Sequence, residues 1–141
     1  MKALDDSIGM GNRNNEYNTF TKVFHGSEKA DNTIIDFVNR CRKKIDSCVS
    51  STAPSVIIEV EAIKKARIFA VKHRVIKLRY VTEVTAENLK YCKEMLKCSE
   101  IRHLEGMKGN FEVSDEKEYV AVATLNKPNQ NLNLYLAMFL K

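Results

Sequence analysis

No apolar run in this 141-residue chain approaches the ~20 residues that a membrane span needs. Its opening, MKALDDSIGMGNRNNEY, lacks the apolar middle of a secretory signal. Neither secretion nor a membrane anchor within these residues is expected, and a cytoplasmic setting is. Cys41, Cys48, Cys92 and Cys98 include no Cys-x-x-Cys pair, and no two histidines stand at zinc-finger spacing. Free thiols serving as small core residues are the reading, with no metal and no cofactor expected. Nucleotide-binding glycine motifs of the Walker or dinucleotide type are missing, and Gly9-Met10-Gly11 falls in a polar stretch. So is the G-x-S-x-G elbow of a serine hydrolase. The strands read below supply no paired acids at their ends, as a phosphoacceptor receiver domain would.

What is present describes one domain of ordinary size. Apolar residues make up 44% of the chain, too many for a disordered one, and 23 Lys+Arg against 18 Asp+Glu give a net charge of +5. A chain of this length buries roughly two thirds of its unfolded surface, enough for a core without staples. The positive excess is concentrated in Lys64, Lys65, Arg67, Lys72, Arg74, Lys77 and Arg79. Such a run can meet phosphates, a nucleic-acid backbone or an acidic partner. It can equally be a solvated helix face running into an edge strand. With no helix-turn-helix or RNA-binding aromatic pattern beside it, nucleic acid is the alternative partner, not the expected one.

Periodicity then orders the elements. Residues 1–16 are polar and aperiodic and read as a mobile arm. Tyr17 to Phe24 reads as a strand, and His25-Gly26-Ser27 as a turn. A helix capped by Ser27 or Asp31 carries Ile34, Val38, Cys41 and Ile45 at helical spacing. A short strand, Ile45 to Val49, precedes the loop 50–54, and one helix from Ser55 to about His73 has a stripe of Val56, Val60, Ile63, Ala66 or Arg67, and Ala70. Val75 to Val81 alternates as a strand. Thr85 predicts an N-cap, Glu87 suits the first turn, and Leu89, Cys92 and Leu96 are expected to face inward. Ile101 to Leu104, Lys108 to Val113 and Tyr119 to Leu125 read as further strands, the last two joined by a turn at 114–117. This order predicts an α/β fold with a mixed, largely parallel sheet flanked by helices. The domain is drawn over 17–125, leaving 126–141 as an apolar tail that docks on the sheet, mediates self-association or is a remnant.

Strand ends in open α/β sheets are where ligands usually bind. On that ground Arg79, Glu83, Arg102, His103, Lys108 and Asn110 are the candidate ligand-binding residues. Arg102, His103 and Glu105 sit beside the two-glycine segment from Gly106 to Gly109, where an anion site and a hydrogen-bonded turn are both open readings. Thr82-Glu83 is similar: the acid either faces a pocket or precedes a helix cap.

Three segments carry a family likeness. Arg79-Tyr80-Val81-Thr82-Glu83, Tyr91-Cys92-Lys93-Glu94, and Arg102-His103-Leu104-Glu105-Gly106 running into Lys108-Gly109-Asn110-Phe111 resemble the N-terminal input domain of archaeal sensor histidine kinases. The resemblance spans about residues 17–125. It implies a phospholipase-D-like half unit, a fold shared with the ligand-sensing domains of some archaeal transcription regulators. The chain departs from the pattern in the loop after Cys48, which reads Ser50 to Pro54 where such domains usually carry an acid and an arginine. It departs again after Leu125, where a long helix and then sensory and kinase modules normally follow. Phospholipase-D chemistry needs a His-x-Lys pair, and His25, His73 and His103 are followed by Gly-Ser, Arg-Val and Leu-Glu. No catalytic residue and no enzyme activity are therefore expected. The resemblance implies a sensory or regulatory domain of histidine-kinase signalling whose partner is a small molecule or a sensor-kinase protein, with a homodimer also open.

Overall fold

The computed structural model of the protein describes residues 20–125 and 133–140. The arm expected over 1–16 and the first part of the tail lie outside them. Seven strands form one sheet: β1 (Phe20–His25), β2 (Lys44–Val49), β3 (Lys77–Thr82), β4 (Glu100–His103), β5 (Phe111–Ser114), β6 (Glu118–Leu125) and β7 (Asn133–Leu140). Four helices accompany them: α1 (Ser27–Arg40), α2 (Ala53–Glu59), α3 (Glu61–Arg74) and α4 (Leu89–Met95). The sheet order is β1-β7-β6-β5-β2-β3-β4.

The α/β class and the mixed, helix-flanked sheet are as the sequence order implies, but the sheet is less parallel than expected. Only β2–β3 and β3–β4 are parallel, each joined through helices; β1–β7, β7–β6, β6–β5 and β5–β2 are antiparallel. Helix-separated strands do run parallel, as the crossover rule demands. The hairpin of β5 and β6 and the two chain-terminal strands extend the sheet antiparallel on the other side of β2. Within the apolar tail, residues 133–140 dock on the sheet as an interior strand, Ala137 standing opposite Val23 on one side and Ala121 on the other. A short, nearly continuous apolar run cannot be assigned to strand or helix by period alone, so its type was not legible in the sequence.

The expected helix over 55–73 is two helices. Val60, at φ −78° and ψ 97°, ends α2 and begins α3. Val56, Ile57, Ile58 and Val60 crowd β-branched side chains that lose rotamer freedom in a helix, which makes this the weak point of the run. The break lets α2 bury Pro54 and Ile57 while α3 buries Ile63, Arg67 and Ala70. Asn88 and Thr85 exchange hydrogen bonds, backbone N–H to side-chain oxygen in both directions at 2.9 and 3.3 Å, as in a capping box. Residues 86–88 form a turn, α4 itself begins at Leu89, and its buried residues are Cys92 and Met95. Leu89 and Leu96, expected inside, are 42% and 54% exposed.

All four helices contribute to one core: Ala30, Phe37 and Val38 from α1, Ile57 from α2, Ala70 from α3 and Met95 from α4. They meet Ile45, Val49, Leu78, Tyr80 and Val120 of the sheet. Alternation along β2, β3 and β5 sends Ser47, Thr82 and Glu112 to this side too. The opposite face carries Asp46, Arg79 and Arg102 beside Cys48, Val81 and Phe111, in a shallow groove. Arg74 donates to the carbonyls of Val38, Asn39 and Cys41, closing the end of α1 that its own backbone leaves open. Among the described residues, no helix is long and apolar enough to cross a membrane.

Candidate functional site

The α3 stripe that should be apolar carries a charge. Arg67 is 4% exposed and lies between Tyr80 of β3 and Glu112 of β5. Its Nη1 donates to the Tyr80 hydroxyl at 2.8 Å, and its Nη2 donates to both Glu112 carboxylate oxygens at 2.9 and 3.0 Å. Ser47 of β2 donates to the same carboxylate at 2.9 Å. Burial works against the guanidinium charge, but Glu112 and Tyr80 outweigh it and hold the pKa above the ordinary arginine range. Burial likewise pushes the Tyr80 phenol up. Arg67 Nε is the one buried side-chain polar atom among the described residues that has no protein partner. A buried ion pair repays its desolvation only when its hydrogen bonds are completed, so an open donor here is a cost carried by the fold.

Two cavities meet at Arg67. The larger, about 220 Å³, lies between α3 and α4. Leu78 and Tyr80 floor it, Ile57, Ile58, Ile68 and Met95 wall it, and Lys64, Lys72, Glu94 and Lys97 stand around it with Cys98 and Ser99. The smaller, about 110 Å³, lies beyond the carboxyl end of β2, between α1 and α2, and includes Asp31, Ser50, Asn110 and Glu112. β2 has a parallel neighbour, β3, on one side and an antiparallel one, β5, on the other, and β5 contributes Asn110's neighbours Phe111 and Glu112 to this cavity. Burial raises the Asp31 carboxyl above its usual value.

The six candidate residues do not converge. Arg79 and Arg102 share the open sheet face, where Arg79 forms a two-pronged bond to Asp46 at 2.5 and 2.7 Å. These two residues are direct partners in the β2–β3 register, which is why they meet. His103 Nδ1 accepts the Val84 N–H at 3.0 Å, and Glu83 accepts the Gly106 N–H at 2.9 Å. Both tie the segment that follows β3 to the end of β4 and the loop beyond it. Asn110 accepts the Ser50 N–H at 2.8 Å and alone of the six borders a cavity next to Arg67. Lys108 is exposed on the loop before β5. Sequence reasoning offered Arg67 as the alternative to Ala66 in the stripe and as one cation of the basic run, but gave it no interior partner. The available signal was a lone arginine at the i+4 position from buried Ile63, with its acid partner 45 residues away.

The seven cations of the basic run are also sorted by the fold. Arg67 and Arg74 serve the interior as described; Lys77 pairs with Glu100 at 3.1 Å, Arg79 with Asp46, and Lys65 with Glu61 at 3.5 Å. Lys64 and Lys72 border the larger cavity. β3, on which the run ends, is an interior strand between β2 and β4 and not an edge. Among the described residues, no group of three His, Cys, Asp or Glu side chains could hold a metal ion.

Neither protein-family profiles nor curated proteins give a match to the chain. Solved structures do. The archaeal chromatin protein TrmBL2, whose structure shows a novel mode of DNA binding, aligns with a TM-score of 0.50 at 14% identity, covering 84% of this chain and 45% of that one. Phosphatidylserine synthase of Haemophilus influenzae Rd KW20 aligns with a TM-score of 0.58 at 12% identity, covering 88% of this chain and 35% of that one. The chain thus spans less than half the length of either protein, and what it shares with them is an α/β fold.

Proposed function

We propose that the chain is a non-catalytic sensory or regulatory domain that binds a small ligand in the cavity between α3 and α4. The observation that carries this reading is Arg67: a buried guanidinium with one open donor, standing where two cavities meet. The absence of any His-x-Lys pair supports the non-catalytic part. His73 stacks on Phe69 with ring centroids 4.6 Å apart, and His103 Nδ1 accepts the Val84 N–H. Resemblance to a kinase input domain supports a place in histidine-kinase signalling, with a sensor kinase or a second copy as the protein partner. All four cysteines are free, in keeping with a reducing, cytoplasmic setting.

Native mass spectrometry of the purified protein, compared with its denatured mass, tests the reading. A discrete extra mass lost on denaturation, and absent from the cavity-filling variant Ile68→Trp, is the expected result. An extra mass retained equally by that variant would overturn the assignment to this cavity.

A second reading, binding to a nucleic-acid backbone, is favoured by the basic run and by the DNA binding of the chromatin protein. Its signature is an affinity for duplex DNA that falls steeply with salt and weakens in Lys64→Gln and Lys72→Gln. Salt-independent binding, or none, would remove it.

A further inference from the structure

We infer that the occupant of the cavity between α3 and α4 is a small amphipathic anion, a carboxylate on a short apolar chain or ring; the inference rests on the ligand-binding reading above. Lys64, Ile68 and Lys72 recur at four-residue intervals on α3, so they share the face that borders the cavity. Lys97 stands across from them at the end of α4. Against these three ammonium groups the cavity offers one carboxylate outside the Arg67 network, Glu94, and Lys97 takes it at 2.6 Å. Lys64 and Lys72 form no direct ion pair among the described residues; Lys64 lies close enough to Glu94 to help lower its carboxyl, after the Lys97 hydrogen bond, so three ammonium groups share one carboxylate. Cations beside a low-dielectric cleft focus a positive potential into it, which draws an anion and holds it more strongly than an open surface would.

The remainder of the lining sets the rest of the ligand. Ile57, Ile58, Ile68, Leu78 and Met95 offer no hydrogen bonds, so the body of the occupant is apolar. No glycine-rich loop turns backbone N–H groups into the cavity, which argues against a phosphate head group. At about 220 Å³ the space is below the roughly 300–1,000 Å³ typical of drug-sized ligands. One ring or a short chain fills it.

Octanoate, 1-octanol and inorganic phosphate are the probes, each titrated calorimetrically into the full chain and into Lys64→Gln, Lys72→Gln and Ile68→Trp. Octanoate is expected to bind about tenfold or more tightly than octanol, the worth of a charge-assisted contact. Each lysine variant is expected to weaken octanoate several-fold while leaving octanol binding and the melting temperature unchanged. Ile68→Trp is expected to abolish both. Octanol binding as tightly as octanoate, with no effect of the lysine variants, would overturn the anion class while leaving the cavity a ligand site. Phosphate binding in preference to octanoate would overturn the apolar body. If no probe binds and Ile68→Trp changes nothing, the ligand-binding reading falls together with this one.

Discussion

Replacing Arg67 by alanine removes three hydrogen bonds at once and leaves the Glu112 carboxylate, 8% exposed in its side chain, with Ser47 as its remaining partner. The Tyr80 hydroxyl loses its donor as well. Breaking a buried ion pair from one side costs about 3–5 kcal/mol, a large part of the ~5–15 kcal/mol that holds a domain together. At roughly 3–4 °C per kcal/mol for a chain of this size, the melting temperature falls by about 10–20 °C. The sign should reverse when both charges go. Arg67→Met with Glu112→Leu replaces the pair by apolar groups of similar volume, which is often neutral or stabilising by about 1–4 kcal/mol. Urea unfolding of the four members of this cycle gives the coupling directly. A single variant that loses less than about 1 kcal/mol, or a double variant that loses the sum of the two singles, would refute the account of Arg67 as a desolvated, paired charge.

Other expectations follow from local geometry. Val75 is a β-branched residue at φ 58° just past the end of α3 and is 84% exposed, so Val75→Gly should stabilise the fold by about 0.5–1 kcal/mol in denaturant titration, and a loss would refute the strain. Asn88 is 4% exposed and donates to the carbonyls of Ser51 and Glu83 while accepting from Thr85. Asn88→Ala should therefore cost about 2–4 kcal/mol, and Asn88→Asp no less. Asp115 accepts from the backbone N–H groups of Arg42, Lys43 and Lys44 at 2.8, 2.8 and 3.1 Å. Although burial acts against it, these bonds hold its carboxyl below the usual 3.8. Its stabilising effect is thus complete above the unfolded value near pH 4 and is lost as pH falls through the lower folded value. Asp115→Asn should flatten the acid limb of a stability-versus-pH curve, and an unchanged limb would contradict that role.

The parts of the fold legible in the sequence were those governed by local rules. Alternation from Val75 to Val81 marks β3, helical spacing of Ile34 and Val38 marks α1, and the 114–117 turn joins β5 to β6. Pairing beyond neighbours in sequence was not local, and so the hairpin of β5 and β6 was read while the antiparallel β1–β7, β7–β6 and β5–β2 pairings were not. The candidate residues are dispersed for a related reason. Arg102 and His103 are adjacent in sequence, but alternation along β4 sends Arg102 to the open sheet face beside Arg79, while His103 turns back to Val84. Asn110 alone came close, at the rim of the smaller cavity. Arg67 was hidden because a charge on a helix ordinarily reads as solvated, and only the register of β5 beside β2 brings Glu112 beneath it.

An amide NMR titration of the protein with octanoate tests the central claim most directly. The account predicts saturable shifts centred on Ile57, Ile68, Leu78 and Met95 and reaching Arg67, which lines the same cavity. Shifts centred instead on Val81, Arg102 and Phe111 of the open sheet face, or none at saturating ligand, would contradict it.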